Sequence, residues 1–369
     1  MRIWLAPSAY APAIGGVEEA TARLAEVLVQ RGHDVRIVTH RWPSTLSEMS
    51  IQDGQAVHRL TFTAPSRHPR TWAPHAAGSA VVQRALDALP VPDVVHVHCV
   101  AGQAMHLVRY CRRHHVRLVV TTHGETAMDS GRLYQRSPLQ RRALRTVASR
   151  ADVLTACSAW TKMHASGIAA AFSSAEVVPN GVRLSDWTGL PEVSDPVFAA
   201  YGRHVRQKGF DVLLHAFRLV RSARPDAQLW LAGVGDQTAE LRRLAGPGVQ
   251  LPGPLDRAGV RALLGRVRTV VVPSLVEPFG IVALEALAAG RRLVYSDVGG
   301  LAEVADGHGW PATAGDAHSL AAAMIASLDE PARGPRTDRL ECLWSWSAVT
   351  DKYLAAYCLV PPVLPERQA

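Results

Sequence analysis

The stretch VVPSLVEPFGIVALEALAAG, residues 271–290, places two glutamates, Glu277 and Glu285, in an otherwise almost wholly apolar run. Apolar residues on every face are typical of a buried helix, and a buried carboxylate without partners is costly. Pro278 favours extended backbone at the residue before it and suits the first turn of a helix. We therefore predict a strand, a loop and a helix whose start comprises Phe279, Gly280 and Ile281.

The start of such a helix carries amides without intrahelical partners, and these amides bind phosphate groups. Glu285, about one turn into the helix, would lie near that site and accept hydrogen bonds from two vicinal hydroxyls of a ligand. An alternative is that Glu285 forms a structural ion pair with Arg292. For Glu277 the alternative is an exposed acid in a loop, so the stretch by itself leaves both assignments open.

On both sides of this stretch, strand-like runs alternate with helical patterns along nearly the whole chain. The strand-like runs are rich in Val, Ile and Leu without clean alternation, which is typical of parallel strands covered on both faces. Their βαβ order predicts parallel sheets with crossover helices. Examples of these runs are RIWLAP (2–7), DVVHVH (93–98), VRLVVTTH (116–123), PVFAAYG (196–202) and RTVVVPS (268–274).

Composition and length limit the possible classes. The chain has 369 residues, 48% of them hydrophobic and 20% charged, as expected of a globular protein with two domains. The segment VVPNGVRLSDWTGLPEVSDP (177–196), rich in Pro, Gly, Ser and Asp, is the predicted linker between them. A net charge of +8 favours an anionic partner such as a nucleotide or a phospholipid surface, whereas no motif supports nucleic-acid binding.

Five scattered cysteines without a CxxC pair are typical of reduced thiols in a cytoplasm. No HExxH motif and no cluster of Cys and His is present, so we expect no tightly held metal. The N-terminus lacks a secretory signal and no apolar run reaches the length of a membrane span. We therefore expect a cytoplasmic protein.

Three further loops follow strand-like runs, where ligands of α/β sheets bind. After Gly202, Arg203 offers a fork that matches phosphate oxygens, and Lys208 a compact, mobile charge. The chain uses arginine at most cationic positions, so a lysine here suggests that a point charge is required. The alternative is a loop with two solvated charges.

Near the N-terminus, Gly15 and Gly16 open a helical pattern directly after the first strand, and paired glycines let backbone approach a ligand closely. A plain tight turn is the alternative.

In TTHGE (121–125), His123 stands at the end of a buried strand, and His98 ends DVVHVH at a similar edge as the weaker candidate. A structural histidine is the alternative at both positions.

In their order and spacing, these segments resemble the signature series of the retaining glycosyltransferases of family 4 (GT4). The resemblance covers residues 1–355 and rests on GGVEEATARLAEVLVQRGHDV, DVVHVH, THG, VVPNGV, YGRHVRQKG, LAGVG and the pair of glutamates on either side of PFGIVAL. One departure is Arg183 in PNGVR, where many relatives carry an acid.

The resemblance implies the GT-B fold, in which two doubly wound α/β domains face each other across a cleft. We place an acceptor-binding domain at 1–190, a nucleotide-sugar domain at 191–345, and a C-terminal helix in 346–369 that packs back on the first domain. The loops at 10–16, 42–50 and 64–75 would surround the acceptor.

Roles also follow from the resemblance. Arg203 and Lys208 would clamp the diphosphate, Glu277 would contact the donor sugar, and Glu285 the ribose diol. His123 would lie on the acceptor side. The implied catalytic residues are His123, Glu277, Arg203 and Lys208; the implied nucleotide-sugar site comprises Gly15, Gly16, Gly202, Arg203, Lys208, Glu277, Phe279, Gly280, Ile281, Val282 and Glu285.

The implied reaction moves a hexose or N-acetylhexosamine with retention, and without a bound metal or other cofactor. The donor is a nucleotide diphosphate sugar, most often a UDP-sugar in this family, and the acceptor a hydroxyl of a small molecule, as in natural-product biosynthesis. Two alternatives stay open. One is a GT-B phosphorylase, epimerase or pseudo-glycosyltransferase; the other is an enzyme with a lipid acceptor, held on the inner face of a membrane by the basic segment 132–150.

Overall fold

The computed structural model describes residues 1–13, 15–63, 72–128, 133–331 and 337–358. Contacts divide the chain into two compact units. Unit 1 comprises Met1–Cys157, Thr161–Val178 and the chain from Val349 onward; unit 2 comprises Ser158–Trp160 and Pro179–Ala348. The first unit thus ends near residue 178, where the Pro- and Gly-rich segment begins, whereas the sequence placed the boundary at 190.

Unit 1 is built on an eight-stranded sheet with the order β3-β4-β2-β1-β5-β6-β7-β8. All its strand pairs are parallel except that β3 is antiparallel to β4. Every residue of β5 is buried, which explains its continuous Val and His composition. The strands are β1 (Arg2–Pro7), β2 (Asp34–His40), β3 (Met49–Gln52), β4 (Gln55–Leu60), β5 (Val94–His98), β6 (Arg117–Thr122), β7 (Val153–Ala156) and β8 (Glu176–Val177).

The helices of unit 1 connect these strands as crossovers, and one hydrophobic core cluster of the unit contains Trp4, Leu107, Tyr110 and Phe172. A short 3-10 helix covers Ala170–Ser174. The α-helices are α1 (Gly16–Gln30), α2 (Trp72–Asp87), α3 (Ala104–His114), α4 (Glu125–Met128), α5 (Leu133–Arg136), α6 (Pro138–Ala148) and α7 (Ala159–Ser166).

Unit 2 contains a six-stranded, wholly parallel sheet with the order β11-β10-β9-β12-β13-β14. Its core packs Phe198 and Leu229 of the sheet against Leu213 and Phe217 of α8. The strands are β9 (Val197–Tyr201), β10 (Gln228–Ala232), β11 (Val249–Gly253), β12 (Thr269–Val272), β13 (Arg292–Ser296) and β14 (Trp310–Ala312). The α-helices are α8 (Phe210–Ala223), α9 (Thr238–Leu244), α10 (Arg257–Leu264), α11 (Ile281–Ala288), α12 (Gly299–Ala305), α13 (Ala317–Asp329) and α14 (Thr337–Trp344).

The last helix, α15 (Trp346–Cys358), begins in unit 2 and belongs to unit 1 from Val349 onward. In unit 1 the Tyr357 hydroxyl of α15 lies 2.7 Å from His96 Nδ1 of β5. Residues 359–369 of the predicted C-terminal helix lie outside the described residues.

The predicted fold class, α/β with two parallel-sheet, doubly wound domains, is confirmed. Two details differ. The predicted loop at 42–50 ends in β3, which pairs with β4 across a two-residue turn, and β14 has only three residues, for which the sequence analysis named no strand. These strands are short and lack the long apolar runs of the central strands, so pattern alone did not reveal them.

The described part of the basic segment 132–150 contains two helices, α5 and α6, with Pro138 at the start of the second. Leu144 and Val147 of α6 are buried in the core, while Arg145 donates to the Ile168 carbonyl at 2.8 Å.

Three of the sequence-based segments fall partly outside the described residues: position 14 of the loop 10–16, positions 64–71 of the loop 64–75, and position 132 of the basic segment. In the described part of the chain, none of the helices has the length and apolarity that crossing a membrane requires.

Candidate functional site

The strand order of unit 2 reverses direction between β9 and β12. From β9 the chain adds β10 and β11 on one side, and then places β12 on the other side of β9. Doubly wound sheets bind ligands at the carboxyl ends of the strands that flank such a switch point. The loop after β9 carries Arg203 and Lys208, and the loop after β12 carries Glu277. Both predicted loops therefore lie at this edge.

A short ion pair joins the two loops, because Lys208 Nζ lies 2.6 Å from Glu277 Oε2. The Lys208 side chain is 19% exposed and that of Glu277 is 9% exposed. Ser274 Oγ donates a second hydrogen bond, of 3.0 Å, to the same carboxylate oxygen. Glu277 is therefore a buried and paired carboxylate, and the alternative of an exposed loop acid is wrong.

The backbone that presents Lys208 requires a glycine. Lys208 ends a short 3-10 helix (Arg206–Lys208), and Gly209 follows in the left-handed region with φ 62°. A Cβ on Gly209 would lie 2.1 Å from the Pro273 carbonyl oxygen at the end of β12. The Leu275 amide also donates to the Gln207 carbonyl at 2.8 Å. The loop after β9 is thus held directly against the loop after β12, which sets the position of the lysine.

Arg203 differs from Lys208 in its surroundings. It is exposed, and its guanidinium makes no hydrogen bond or ion pair within the described part of the chain. Gly202 before it has φ 142°, a conformation that favours glycine. One cation at this edge is therefore paired and half-buried, and the other is exposed and available to a ligand.

The predicted helix start lies beside these loops at the end of β12. Gly280 is the N-cap of α11 with φ 96°, and a Cβ there would lie 2.7 Å from Leu301 Cδ1. The Gly280 carbonyl accepts from the Ala283 and Leu284 amides at 3.0 and 3.2 Å. Since the first amides of a helix have no carbonyl one turn earlier, those of Ile281 and Val282 are the ones that a phosphate would meet. Phe279 is buried and anchors the turn.

Glu285 accepts a hydrogen bond of 2.9 Å from the hydroxyl of Tyr201, the last residue of β9. Burial, and secondly the charge of Glu285, raises the pKa of Tyr201 well above its usual value, so the phenol stays a hydrogen-bond donor. Arg292, the alternative partner considered for Glu285, donates to the carbonyls of Ser327 and Glu330. The carboxylate of Glu285 is thus held by a neutral donor at the switch point.

The predicted glycines of unit 1 follow β1, which lies next to the switch point of that sheet. Gly15 is the N-cap of α1 with extended backbone (φ −172°, ψ 172°), and Gly16 is exposed as the first residue of the helix. A Cβ on Gly15 would lie 2.4 Å from Glu18 Oε2, the mobile end of a side chain. The conformation of Gly15 therefore does not require glycine.

A loop ordered by Glu125 carries His123 after β6. The Glu125 carboxylate accepts from three donors: the Val100 amide at 2.9 Å, the His123 amide at 2.9 Å and the Thr122 hydroxyl at 3.0 Å. Gly124, with φ 96°, makes the turn between them possible. The position of His123 is therefore fixed by the backbone on both sides of it.

Three buried histidine rings line the carboxyl ends of β5 and β6. His123 Nε2 lies 3.0 Å from His98 Nδ1, and the ring of His98 packs on that of His96 with centroids 3.9 Å apart. His96 is bonded at both nitrogens, to Tyr357 Oη at 2.7 Å and to Thr121 Oγ1 at 2.6 Å. We call His96, His98 and His123 the histidine row. The two histidines singled out from the sequence are in direct contact with each other.

Burial keeps the histidine row uncharged. It lowers the pKa of His123 to about 4, and it lowers the pKa values of His96 and His98 well below the usual value, with mutual repulsion as a smaller cause. At neutral pH these rings can donate or accept single hydrogen bonds, but they carry no positive charge toward a ligand.

Among the described residues, no three His, Cys, Asp or Glu side chains lie close enough together to hold a metal ion. A surface cavity of about 440 Å³ opens at the opposite, amino ends of β6 and β7 and is lined by Arg112, Arg117 and Arg150. Arg112 lies in the last turn of α3 and Arg150 shortly after α6, where the helix dipoles favour cations. This cavity includes none of the predicted site residues.

Sequence reasoning missed several residues that hold the site together. Tyr201, which bonds Glu285, is the last residue of β9. Ser274, which bonds Glu277, lies two positions after the end of β12, and both residues fall in segments already marked as strands. Their positions were therefore a usable signal. Tyr357 gave no such signal, because its contact with His96 joins residues 261 positions apart.

Two family models match nearly the whole chain: Glycosyltransferase Family 4 over residues 14–186, and Glycosyl transferases group 1 over residues 195–330. The glycogen synthase of Mycobacterium tuberculosis is 31% identical over 96% of this chain and 95% of its own length. The chain belongs to glycosyltransferase family 4.

Other relatives of this glycosyltransferase have different acceptors in their names. The phosphatidyl-myo-inositol mannosyltransferase of Mycobacterium leprae is 29% identical over 93% of this chain and 92% of its own. Among solved structures, the sucrose-phosphate synthase of Thermosynechococcus elongatus superposes with a TM-score of 0.77 at 22% identity, over 96% of this chain and 98% of its own. That likeness confirms the GT-B fold.

Proposed function

We propose that this enzyme transfers a hexose or N-acetylhexosamine from a nucleoside diphosphate sugar to a hydroxyl acceptor, with retention and without a bound metal. The observation that carries the proposal is the Lys208 and Glu277 pair of 2.6 Å, beside the start of α11 and at the switch point of unit 2. In the proposal the site binds a diphosphate and a sugar that lie next to each other.

The ion pair of the free protein supplies one group for the diphosphate and one for the sugar of the donor. Lys208 is a compact cation that can follow a phosphate oxygen, and Glu277 can accept hydrogen bonds from sugar hydroxyls. When a donor binds, the diphosphate replaces the carboxylate as the partner of Lys208, and hydroxyls replace the ammonium group at Glu277. Each buried group then keeps a partner, so exchange avoids the large cost of an unpaired buried charge.

Departure of the nucleotide leaves negative charge on the diphosphate. Arg203, Lys208 and the first amides of α11 would stabilise that charge where it develops, which is the usual electrostatic route to catalysis. The bond between the sugar C1 and the phosphate oxygen breaks, and the bond between C1 and the acceptor oxygen forms on the same face. The departing phosphate oxygen takes the proton of the acceptor hydroxyl. An attack by Glu277 on C1 is the alternative for retention.

Binding and turnover test the proposal. A thermal-shift panel of UDP-, GDP-, ADP- and dTDP-sugars should identify a stabilising donor, with a UDP-sugar expected first, and the product should keep the anomeric configuration of that donor. Lys208→Ala and Arg203→Ala should each cut transfer by about a hundredfold or more. Lys162→Ala, at one of the two other lysines of the chain, is the matched control. Near-normal turnover in both variants, or the absence of binding by every nucleotide, would remove the diphosphate clamp.

A lipid-linked acceptor is the second candidate, and the mannosyltransferase relatives, whose names include phosphatidyl-myo-inositol, favour it. The basic segment has exposed cations such as Arg142 that would face anionic lipid. Sedimentation with vesicles tests this: binding to phosphatidylinositol-containing but not to phosphatidylcholine vesicles would support a lipid acceptor. Equal recovery in the supernatant with both kinds of vesicle would leave the soluble acceptor as the proposal.

A further inference from the structure

The histidine row contains a buried atom that no described group satisfies. His98 is 1% exposed, and its Nε2 atom has no hydrogen-bond partner in the described part of the chain. Its other nitrogen, Nδ1, faces Nε2 of His123 at 3.0 Å. The two rings share one proton between these facing nitrogens, because burial keeps both of them neutral.

Only two arrangements of that proton exist for neutral rings. If His123 carries it on Nε2, then His98 must carry its own proton on Nε2, where it has no acceptor. If His98 carries the shared proton on Nδ1, its Nε2 is a bare nitrogen and no N–H group is orphaned. Buried N–H groups without an acceptor are rarer in proteins than acceptors left unsatisfied. The second arrangement is therefore the more stable one.

We infer that His98 is a positioning residue that fixes His123 in the tautomer protonated on Nδ1. His123 Nε2 is occupied as an acceptor, so Nδ1–H is the ring group left to meet a ligand. In the proposed reaction, on which this inference rests, His123 then donates a neutral hydrogen bond to an oxygen of the substrate. It does not remove the proton of the acceptor hydroxyl.

The rest of the row holds His98 in this orientation. His96 is bonded at both ring nitrogens, by the Tyr357 and Thr121 hydroxyls, and so cannot rotate without losing two hydrogen bonds. Its ring lies against that of His98, and Tyr353 of α15 packs edge-on against His98 with centroids 6.3 Å apart. The neighbours that bear on His98 are therefore neutral rings, and no carboxylate contact is present among the described residues to favour an imidazolium.

The experiment combines NMR spectra with two pairs of variants, one pair at His98 and one at His123. Long-range 15N–1H spectra of the full chain with labelled histidines distinguish protonated from bare ring nitrogens, and loss of signals in His123→Asn assigns those of His123. We expect a bare Nε2 and a protonated Nδ1. His98→Leu should mix the two tautomers of His123, whereas His98→Asn, whose amide can donate from the position of Nδ1, should preserve the wild-type form.

Turnover provides the second readout. The amide of Asn reaches the position of the His Nδ1 and that of Gln the position of Nε2, so His123→Asn should retain about tenfold more activity than His123→Gln. A proton found on His123 Nε2 in the wild type, or an unchanged tautomer and turnover in a folded His98→Leu, would overturn the inference. If no donor is turned over at all, the proposed function fails, and the spectra still test the role of His98.

Discussion

The two sheets place opposite kinds of chemistry at equivalent edges. At the carboxyl ends of β5 and β6 in unit 1, the candidate side chains are neutral rings whose pKa values burial has lowered. At the carboxyl ends of β9 and β12 in unit 2, they are a lysine and a glutamate that neutralise each other across 2.6 Å. Both solutions avoid an isolated buried charge, but only the second can release charge to a ligand.

The two edges should respond differently to change. The histidine row depends on each ring staying uncharged, so its stability is sensitive to pH and to the packing around it. The ionic pair depends on having a partner of opposite sign, so it is sensitive to the removal of either member. Four experiments test this contrast, in order of decreasing effect.

The largest effect should come from separating the members of the ionic pair. Among the described residues, Lys208→Met leaves the buried Glu277 carboxylate with Ser274 as its remaining side-chain partner, so we expect lower stability and a fall in kcat/KM of about a hundredfold to a thousandfold. The double variant Lys208→Met/Glu277→Gln removes both charges and should regain most of the stability in urea unfolding, but not the activity. Recovery of activity in the double variant would contradict the role of Lys208 as a phosphate ligand.

The pH dependence of stability should distinguish the two edges. The pKa of His123 is about 4 in the folded protein and ordinarily about 6.5, so the unfolded chain binds more protons between these values. Stability is therefore full above pH 6.5 and falls as the pH drops toward 4, by about 3 kcal/mol for this residue. Urea unfolding of wild type and His123→Asn at several pH values measures the difference. The exposed His215→Asn is the control, and an equal slope in all three proteins would contradict the assignment.

A smaller effect is expected at Glu285, the carboxylate of unit 2 that accepts a hydrogen bond from Tyr201. Glu285→Gln should weaken binding of a nucleoside diphosphate by about tenfold, since a charged acceptor for the ribose hydroxyls becomes neutral. Binding of inorganic pyrophosphate should stay unchanged, because it has no ribose. Calorimetry with both ligands provides the comparison. Equal losses for the two would show that Glu285 acts through the fold and not on the ribose.

The smallest effect should be at the far end of the histidine row. Tyr357→Phe removes the hydroxyl that bonds His96 Nδ1 and leaves that nitrogen buried without its partner. We expect a loss of about 1–2 kcal/mol in the free energy of unfolding and little change in donor affinity. A loss of donor affinity equal to that in Lys208→Met would contradict the independence of the two edges.

Much of the architecture could be predicted, because buried parallel strands appear in the sequence as continuous apolar runs. The helix start at Phe279, Gly280 and Ile281 was predicted from Pro278, and in the structure α11 begins at Ile281 with Gly280 as its N-cap at positive φ. The partners of the site residues were less accessible. A pattern can place Glu277 and Lys208 at strand ends, but their contact arises from the strand order β9-β12, which no local pattern contains.

The histidine row shows the same limit. His98 and His123 each lie at a strand end in the sequence, and pairing of β5 with β6 in a register that aligns His98 with Thr121 brings them together. The orientation of the row also depends on α15, whose Tyr357 bonds His96 from more than two hundred positions later along the chain. Side-chain type was thus predictable, and protonation was not.

The path of α15 has a practical consequence for dissecting the molecule. An excised fragment covering only Met1–Val178 would lack Tyr353 and Tyr357. His96 in its central strand would lose the hydroxyl of Tyr357, and the surface that α15 covers would become exposed, which favours aggregation. Unit 2, by contrast, is almost one uninterrupted stretch of the gene. Unit 2 should therefore be easier to produce in isolation. The fragment Met1–Val178 would need its terminal helix joined to it or added as a separate peptide.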